Sequence, residues 1–289
     1  MSRWSVLCCL GDLVNDIVVY ADSPIATGTD TPGTIWRRPG GSAANVAVHA
    51  TGLGTSTTFI GQVGDDQSGA LLTTELTAVG VNVAVTSAGR TGSILVIVAH
   101  DGERSFVSDR GASMDLANLP DGCLNGVQYI HVPWYSLASG PISITARQAI
   151  TQARQAGARV SIDASSVALF NDIQTGRHAI NELRPDILFA NVAEAAHLNL
   201  LSEPLTQVRL TVVKQGADPA ILLDHKGHIS TVDVMPINVD GLDTTGAGDA
   251  FAAGFLAATL AGKSDTDAAT AGHQCASAHL IAQHDRYQR

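Results

Sequence analysis

The 289-residue sequence predicts an α/β protein: a mostly parallel sheet covered by helices on both faces, with a small additional β-sheet. Three observations predict it. Apolar runs of strand length alternate with longer helical stretches along most of the chain, the pattern of consecutive β and α units. The strand-like runs are continuously apolar, as strands buried on both faces are. Two stretches, Ile17–Pro39 and Arg90–Arg110, interrupt the alternation with β pieces that have no helix between them.

The elements follow in order. Ser5–Leu10 reads as a buried first strand ending at Gly11, and Ala43–Leu53 as a helix closed by Gly54. Thr57–Gln62 is a strand. Asp66–Val79 is a helix with Asp66 at its N-cap and Gly80 past its end. Tyr129–Val132 is a strand, and Ile142–Gln155 a helix stopped by Gly157. Val160–Asp163, Ile187–Ala190 and Leu210–Lys214 are short strands with helical segments between them. Ala220–Asp224 and His228–Val232 flank Gly227 as a hairpin. Ala247–Ala261 and Asp265–Ile281 are two closing helices, the first buried. In the interrupting stretches, Val18-Val19-Tyr20 and Thr34–Arg38 form one β pair. Ser93–Val98 and Arg104–Ser108, about an Asp101-Gly102 turn, form another. These pieces are either edge hairpins or a β lid over the active edge of the sheet. The expected division is a core of residues 1–11, 40–89 and 112–289 and a lid of 12–39 and 90–111.

Composition excludes several classes of function. With 17 Lys+Arg against 27 Asp+Glu the net charge is −10, which argues against a general nucleic-acid binder and a polybasic membrane anchor. At 45% hydrophobic and 15% charged residues the chain is not disordered. The four cysteines make no disulfide framework and contain no CxxC pair. No run reaches the roughly 18 apolar residues of a membrane span. The apolar stretch in MSRWSVLCCLGD is too short for a signal-peptide core, so the expected location is cytoplasmic. The histidine pairs His225/His228 and His273/His279 lack a third ligand, and no structural metal is expected.

The segment richest in chemistry is Asp243-Thr244-Thr245-Gly246-Ala247-Gly248-Asp249-Ala250-Phe251. Small residues entering a helix let backbone amides approach a ligand, and the helix start adds positive potential. That suits a transferring phosphoryl group, with Asp249 in the first turn able to accept the proton of an attacking hydroxyl. The same string is also compatible with a glycine turn and a helix-start carboxylate. Gly40-Gly41-Ser42-Ala43-Ala44-Asn45 opens another helix, and Asn45 can bind a hydroxyl through donor and acceptor together. Gly262-Lys263-Ser264 is not a P-loop, because Ala257 stands where that pattern needs glycine.

The two signatures, in this order, resemble those of the ribokinase-like (PfkB) family of carbohydrate kinases. Gly61-Gln62-Val63-Gly64-Asp65-Asp66, Asn191-Val192-Ala193-Glu194 and Val213-Lys214-Gln215-Gly216-Ala217 resemble further marks of that family, and the likeness covers nearly the whole chain. It implies a ribokinase-like three-layer α/β/α core with a small β lid, and an ATP-dependent kinase acting on a primary hydroxyl of a sugar or sugar acid with Mg²⁺. By this resemblance Asp249 is the catalytic base, and Gly246, Ala247 and Gly248 supply amides to the γ-phosphate. Asn191 and Glu194 place Mg²⁺ and the phosphates through water, Gly216 contacts the nucleotide, and Lys214 has no assigned role. Asp16, Gly41 and Asn45 face the sugar, and a homodimer forms through the lid.

The sequence also departs from the family. Val14 and Ser42 replace the Asn and Lys of ribose-phosphorylating members, which argues against ribose. Arg110 either binds a substrate carboxylate, as the arginine at this place does in 2-keto-3-deoxygluconate kinases, or pairs with Asp109 beside it. Trp36 either closes over a sugar face or buries a lid–lid contact. Asp218-Pro219 replaces the usual Asp-Gly of the nucleotide hairpin. The family's continuation beyond the last helix, with its monovalent-cation ligands, is not matched, which leaves that cation open. His279 either touches the nucleotide or lies on a helix surface, the second being the expectation. The alternatives are a nucleoside kinase of the same fold and a sugar- or nucleotide-binding protein without turnover.

Overall fold

The computed structural model describes residues 6–98, 104–234 and 244–287. In chain order the strands are β1 (Leu7–Leu10), β2 (Val14–Ala21), β3 (Gly33–Gly40), β4 (Thr57–Val63), β5 (Asn82–Ser87), β6 (Thr91–Val98), β7 (Arg104–Gly111), β8 (Tyr129–Pro133), β9 (Arg159–Asp163), β10 (Ile187–Asn191), β11 (Leu210–Gln215), β12 (Asp218–Asp224) and β13 (Ile229–Val232). The helices are α1 (Ser42–Gly52), α2 (Gln67–Ala78), α3 (Tyr135–Ala138), α4 (Pro141–Gln155), α5 (Ile173–Leu183), α6 (Val192–His197), α7 (Ala247–Leu260) and α8 (Asp265–Tyr287).

The larger sheet has nine strands in the order β13-β12-β11-β10-β9-β8-β1-β4-β5. All its pairings are parallel except those of β11 with β12 and β12 with β13. Side-chain alternation divides each strand between two cores. Cys8 and Leu10 pack with residues of α3, α4, α5 and α6, whereas Leu7 and Cys9 pack with α1, α2, α7 and α8. The adjacent cysteines therefore point to opposite faces, and the molecule has the three layers the sequence predicts. Asp66 caps α2 as expected, accepting from Gly69 N at 2.8 Å. It also accepts from Thr91 N at 2.8 Å, which ties the start of α2 to β6. Phe251, Phe255 and the alanines between them make α7 the buried helix its apolar sequence requires.

The two interrupting stretches form one four-stranded sheet, β3-β2-β6-β7, rather than separate edge hairpins. Its middle pair, β2 and β6, is parallel and joins the two stretches. The Asp101-Gly102 turn lies outside the described residues.

Three local features differ from the expectation. β5 is an extra strand at the sheet edge, half-buried and paired only with β4, so no continuous apolar run marks it. α8 continues past Ile281 to Tyr287. The hairpin between β11 and β12 turns at Gly216, whose φ is +65°, and Asp218-Pro219 begins β12 instead of forming the turn. No described helix is long and apolar enough to cross a membrane.

The topology places the functional crevice. From β1 the chain builds outward to β4 and β5, then returns on the other side through β8 to β13. At such a reversal the loops after neighbouring strands part, leaving a crevice at the carboxyl ends.

His131, wholly buried on β8, lies with Nδ1 2.7 Å from Ser161 Oγ. Burial lowers its pKa to about 4, against the opposing charge of Asp163. The unfolded chain therefore binds the extra proton between pH 6.5 and 4, and stability is lost as pH falls through that window. The full loss is about 3 kcal/mol. Thermal unfolding followed by circular dichroism is expected to show a shallower acid-side decline of Tm for His131→Gln than for the wild type.

Candidate active site

The site is built around the start of α7. Gly246 precedes the helix in the left-handed region, at φ +81°, and provides no side-chain cap. No side chain therefore closes the first turn; Ala247 N donates to Thr244 O at 3.2 Å, and a helix start of this kind suits an anion. Asp249 lies in that turn and is held from α1. Ser42 Oγ donates to its Oδ1 at 2.6 Å and Asn45 Nδ2 donates to its Oδ2 at 2.8 Å. Burial raises the Asp249 pKa to about 6, partly offset by these two hydrogen bonds. The carboxylate is ionised at neutral pH yet basic enough to take a proton.

The loop before α7 is fixed from α8. Gln283 Nε2 donates to Thr245 O at 2.8 Å, and His279 Nε2 lies 2.8 Å from the same carbonyl. His279 is therefore a support of the amide-bearing loop and not the surface histidine expected. His49 meets it edge-on at 4.8 Å between ring centroids. Asp243, which opens the signature, lies outside the described residues.

The double glycine before α1 has a packing cause. A Cβ at Gly40 would stand 2.0 Å from Asp16 Oδ1. One at Gly41, where φ is +106°, would stand 2.1 Å from the carbonyl oxygen of Asp12. Only glycines let β3 turn into α1 over these two acidic residues. Asp16 faces Arg38 across the β2–β3 register, with Arg38 Nε 3.6 Å from its Oδ2. An open groove of about 1820 Å³ begins at Asp16, Trp36, Arg38, Asn45 and Gly246 and runs along α1, α7 and α8.

Arg110 does not pair with Asp109, which pairs with Arg90. It makes a two-pronged contact with Asp12, from Nε at 2.6 Å and Nη2 at 2.7 Å. That pair joins β7 of the smaller sheet to the segment leaving β1, because a guanidinium matches a carboxylate through two parallel bonds.

On the other side of α7, Asp163, Asn191 and Lys214 stand at the ends of three adjacent parallel strands. Asn191 and Glu194 form the capping box of α6. Asn191 Oδ1 accepts from Glu194 N at 2.9 Å, while the Glu194 carboxylate accepts from Asn191 N and Nδ2, each at 2.8 Å. Glu194 is 2% exposed, and burial, then the charge of Asp163, raises its pKa. Lys214 Nζ donates to Asp163 Oδ2 at 2.6 Å. Gly216 is exposed in the turn that follows. Among the described residues no three acidic, histidine or cysteine side chains form a ready metal cage. The buried carboxylates of Asp163 and Glu194, near the ends of adjacent strands, fit a Mg²⁺ that arrives on nucleotide phosphates and keeps its waters.

This arrangement has counterparts. The model of the pfkB family of carbohydrate kinases matches residues 5–284. The chain belongs to that family. It is 30% identical over 269 residues to the fructokinase of Escherichia coli, covering 86% of this chain and 82% of that protein. Its structure is similar to adenosine kinase from Sinorhizobium meliloti, with a TM-score of 0.82 over 95% of this chain and 93% of the other at 24% identity. Arabidopsis thaliana ribokinase, solved with ribose and ATP, gives 0.81 over 96% and 93%, also at 24% identity. Both structural likenesses carry the ribokinase-like fold alone.

As a pfkB-family carbohydrate kinase the protein is an ATP-dependent enzyme, and its site contains residues to which the sequence reading gave no role there. Ser42, noted only as a departure, binds Asp249. Asp163 and Lys214 form a buried pair beside α7. Burial raises the pKa of the Tyr135 phenol, with smaller contributions from Asp163, Glu194, Asp249 and Asp12, so Tyr135 stands among the site's carboxylates. The usable signal for Asp163 and Tyr135 was position, since both directly end or follow a parallel strand on the crevice side.

Proposed function

We propose that this kinase transfers the γ-phosphoryl group of ATP to a primary hydroxyl of a neutral sugar, with Asp249 as the general base. The observation that carries the reading is the Asp249 carboxylate, seated beside the first-turn amides of α7 and held by two donors from α1. The sugar oxygen attacks the γ-phosphorus and its proton passes to Asp249. The bond from the γ-phosphorus to the bridging oxygen breaks, and ADP leaves. The amides of Gly246, Ala247 and Gly248 hold the oxygens of the group in flight. Asp16, Gly41 and Asn45 bind sugar hydroxyls, and Gly216 contacts the nucleotide. Asn191 and Glu194 hold Mg²⁺ through water. When bound with the nucleotide, Mg²⁺ neutralises phosphate charge.

The bidentate use of Arg110 by Asp12 favours a neutral sugar over a sugar acid. The fructokinase relative and the ribokinase solved with ribose and ATP support a sugar as acceptor. The four-stranded sheet acts as a lid that excludes water. Its exposed Ile35, Trp36, Phe106 and Val107 suit a homodimer contact between lids. The free cysteines fit a reducing cytoplasm.

An ADP-release assay over hexoses, pentoses, sugar acids and nucleosides tests the substrate class. Turnover is expected with a neutral sugar. Preference for a sugar acid would return Arg110 to the substrate, and preference for a nucleoside would overturn the sugar reading.

A further inference from the structure

Lys214 is a buried cation that the proposed reaction above does not use. Its Nζ is 2.6 Å from Asp163 Oδ2, and the two side chains are 15% and 8% exposed. A Cβ at Gly248 would stand 3.1 Å from that Nζ, so the ammonium lies directly against the amide-bearing turn of α7. Among the described residues, Arg38 and Arg110 lie on the sugar side against Asp16 and Asp12, and Arg37 lines the groove beside Arg38. Burial alone would lower the lysine pKa, but the charges of Asp163, Glu194 and Asp249 outweigh it and keep the group protonated.

We propose that Lys214 is a further catalytic residue, whose ammonium, held in place by Asp163, contacts the γ-phosphoryl group during its transfer. The proposal rests on the phosphotransfer reading above. An ammonium has three donors, and the bond to Asp163 uses one of them. A buried ion pair by itself is a weak source of stability, since apolar side chains of similar size commonly replace one without loss. A point charge beside an anion-binding helix start, by contrast, is the arrangement a lysine uses to bind phosphate. Asp163 fixes the ammonium before the nucleotide arrives, so less reorganisation is needed as charge shifts between the γ-phosphoryl group and the leaving oxygen.

The test compares wild type, Lys214→Met and the double variant Asp163→Asn/Lys214→Met, which removes both charges. Calorimetry measures binding of the Mg²⁺ complexes of ADP and of a non-hydrolysable ATP analogue with an imido β–γ bridge. Loss of Lys214 is expected to weaken the triphosphate analogue about tenfold or more and to leave ADP unchanged. It should lower kcat about 10²-fold, with the sugar KM nearly constant. The double variant is expected to regain the thermal stability lost in the single one without regaining the preference for the triphosphate or the rate. Recovery of near wild-type kcat in the double variant, or equal losses for both nucleotides, would reduce Lys214 to a structural partner and overturn the proposal. A wild type that binds neither nucleotide would overturn the phosphotransfer reading itself, and this proposal with it.

Discussion

Asp249→Asn is expected to lower kcat about 10³-fold, within the range that a positioned general base supplies. The substitution leaves the site's packing intact. An asparagine carbonyl can accept from Asn45 Nδ2, and its amide can donate to Ser42 Oγ, in place of the two bonds the carboxylate accepts now. The loss is therefore expected in kcat, with sugar and nucleotide binding retained, measured by ADP release at saturating substrates. Near-full activity of the variant would remove Asp249 from the role of base.

The same residue fixes a pH dependence. Because burial raises the Asp249 pKa to about 6, kcat/KM of the wild type is expected to rise through pH 6 and level off above it. The residual rate of the Asn variant should lack that step. Stability moves the other way. The folded-state pKa lies above the ordinary value of 3.8, so the native protein binds the extra proton between those values. Ionisation above pH 6 thus costs folding free energy, which the neutral amide avoids. The Tm of Asp249→Asn relative to wild type is expected to increase from pH 4 to pH 7. A constant difference would mean that the carboxylate is not held at a raised pKa.

What the sequence made legible was local or periodic. The strands from β8 to β11 are short, rich in apolar residues and mostly buried because the sheet is covered on both faces. Asn191 and Glu194 were visible through a motif that spans four residues, and the structure shows the two closing one capping box. The half-buried edge strand β5 offered no such run. The unread part of the site consists of contacts between distant segments. Ser42 lies 207 residues from Asp249, Asp163 lies 51 from Lys214, and Asp12 lies 98 from Arg110. Gly40 and Gly41 show how a motif can be located without its packing cause: the close approaches a Cβ would make there are to Asp16 and Asp12, distant in sequence.

Arg110→Ala is expected to destabilise the fold by about 3 to 5 kcal/mol, because it strands a mostly buried carboxylate without its partner. The two side chains are 13% and 9% exposed, and the contact is bidentate, so water cannot easily replace the guanidinium. At about 2 to 4 °C per kcal/mol for chains of this size class, Tm should fall by roughly 10 °C in calorimetric scans. Arg110→Lys should fall between, since an ammonium keeps the charge but not the two parallel bonds. Removing both charges in Asp12→Ala/Arg110→Ala should recover much of the loss, because no isolated charge is then buried. These effects separate the two uses of Arg110. If the residue serves Asp12, the penalty is in Tm and the double variant relieves it. If it served a substrate carboxylate, the penalty would fall on KM for a sugar acid, and Asp12→Ala, which frees the guanidinium, would lower that KM.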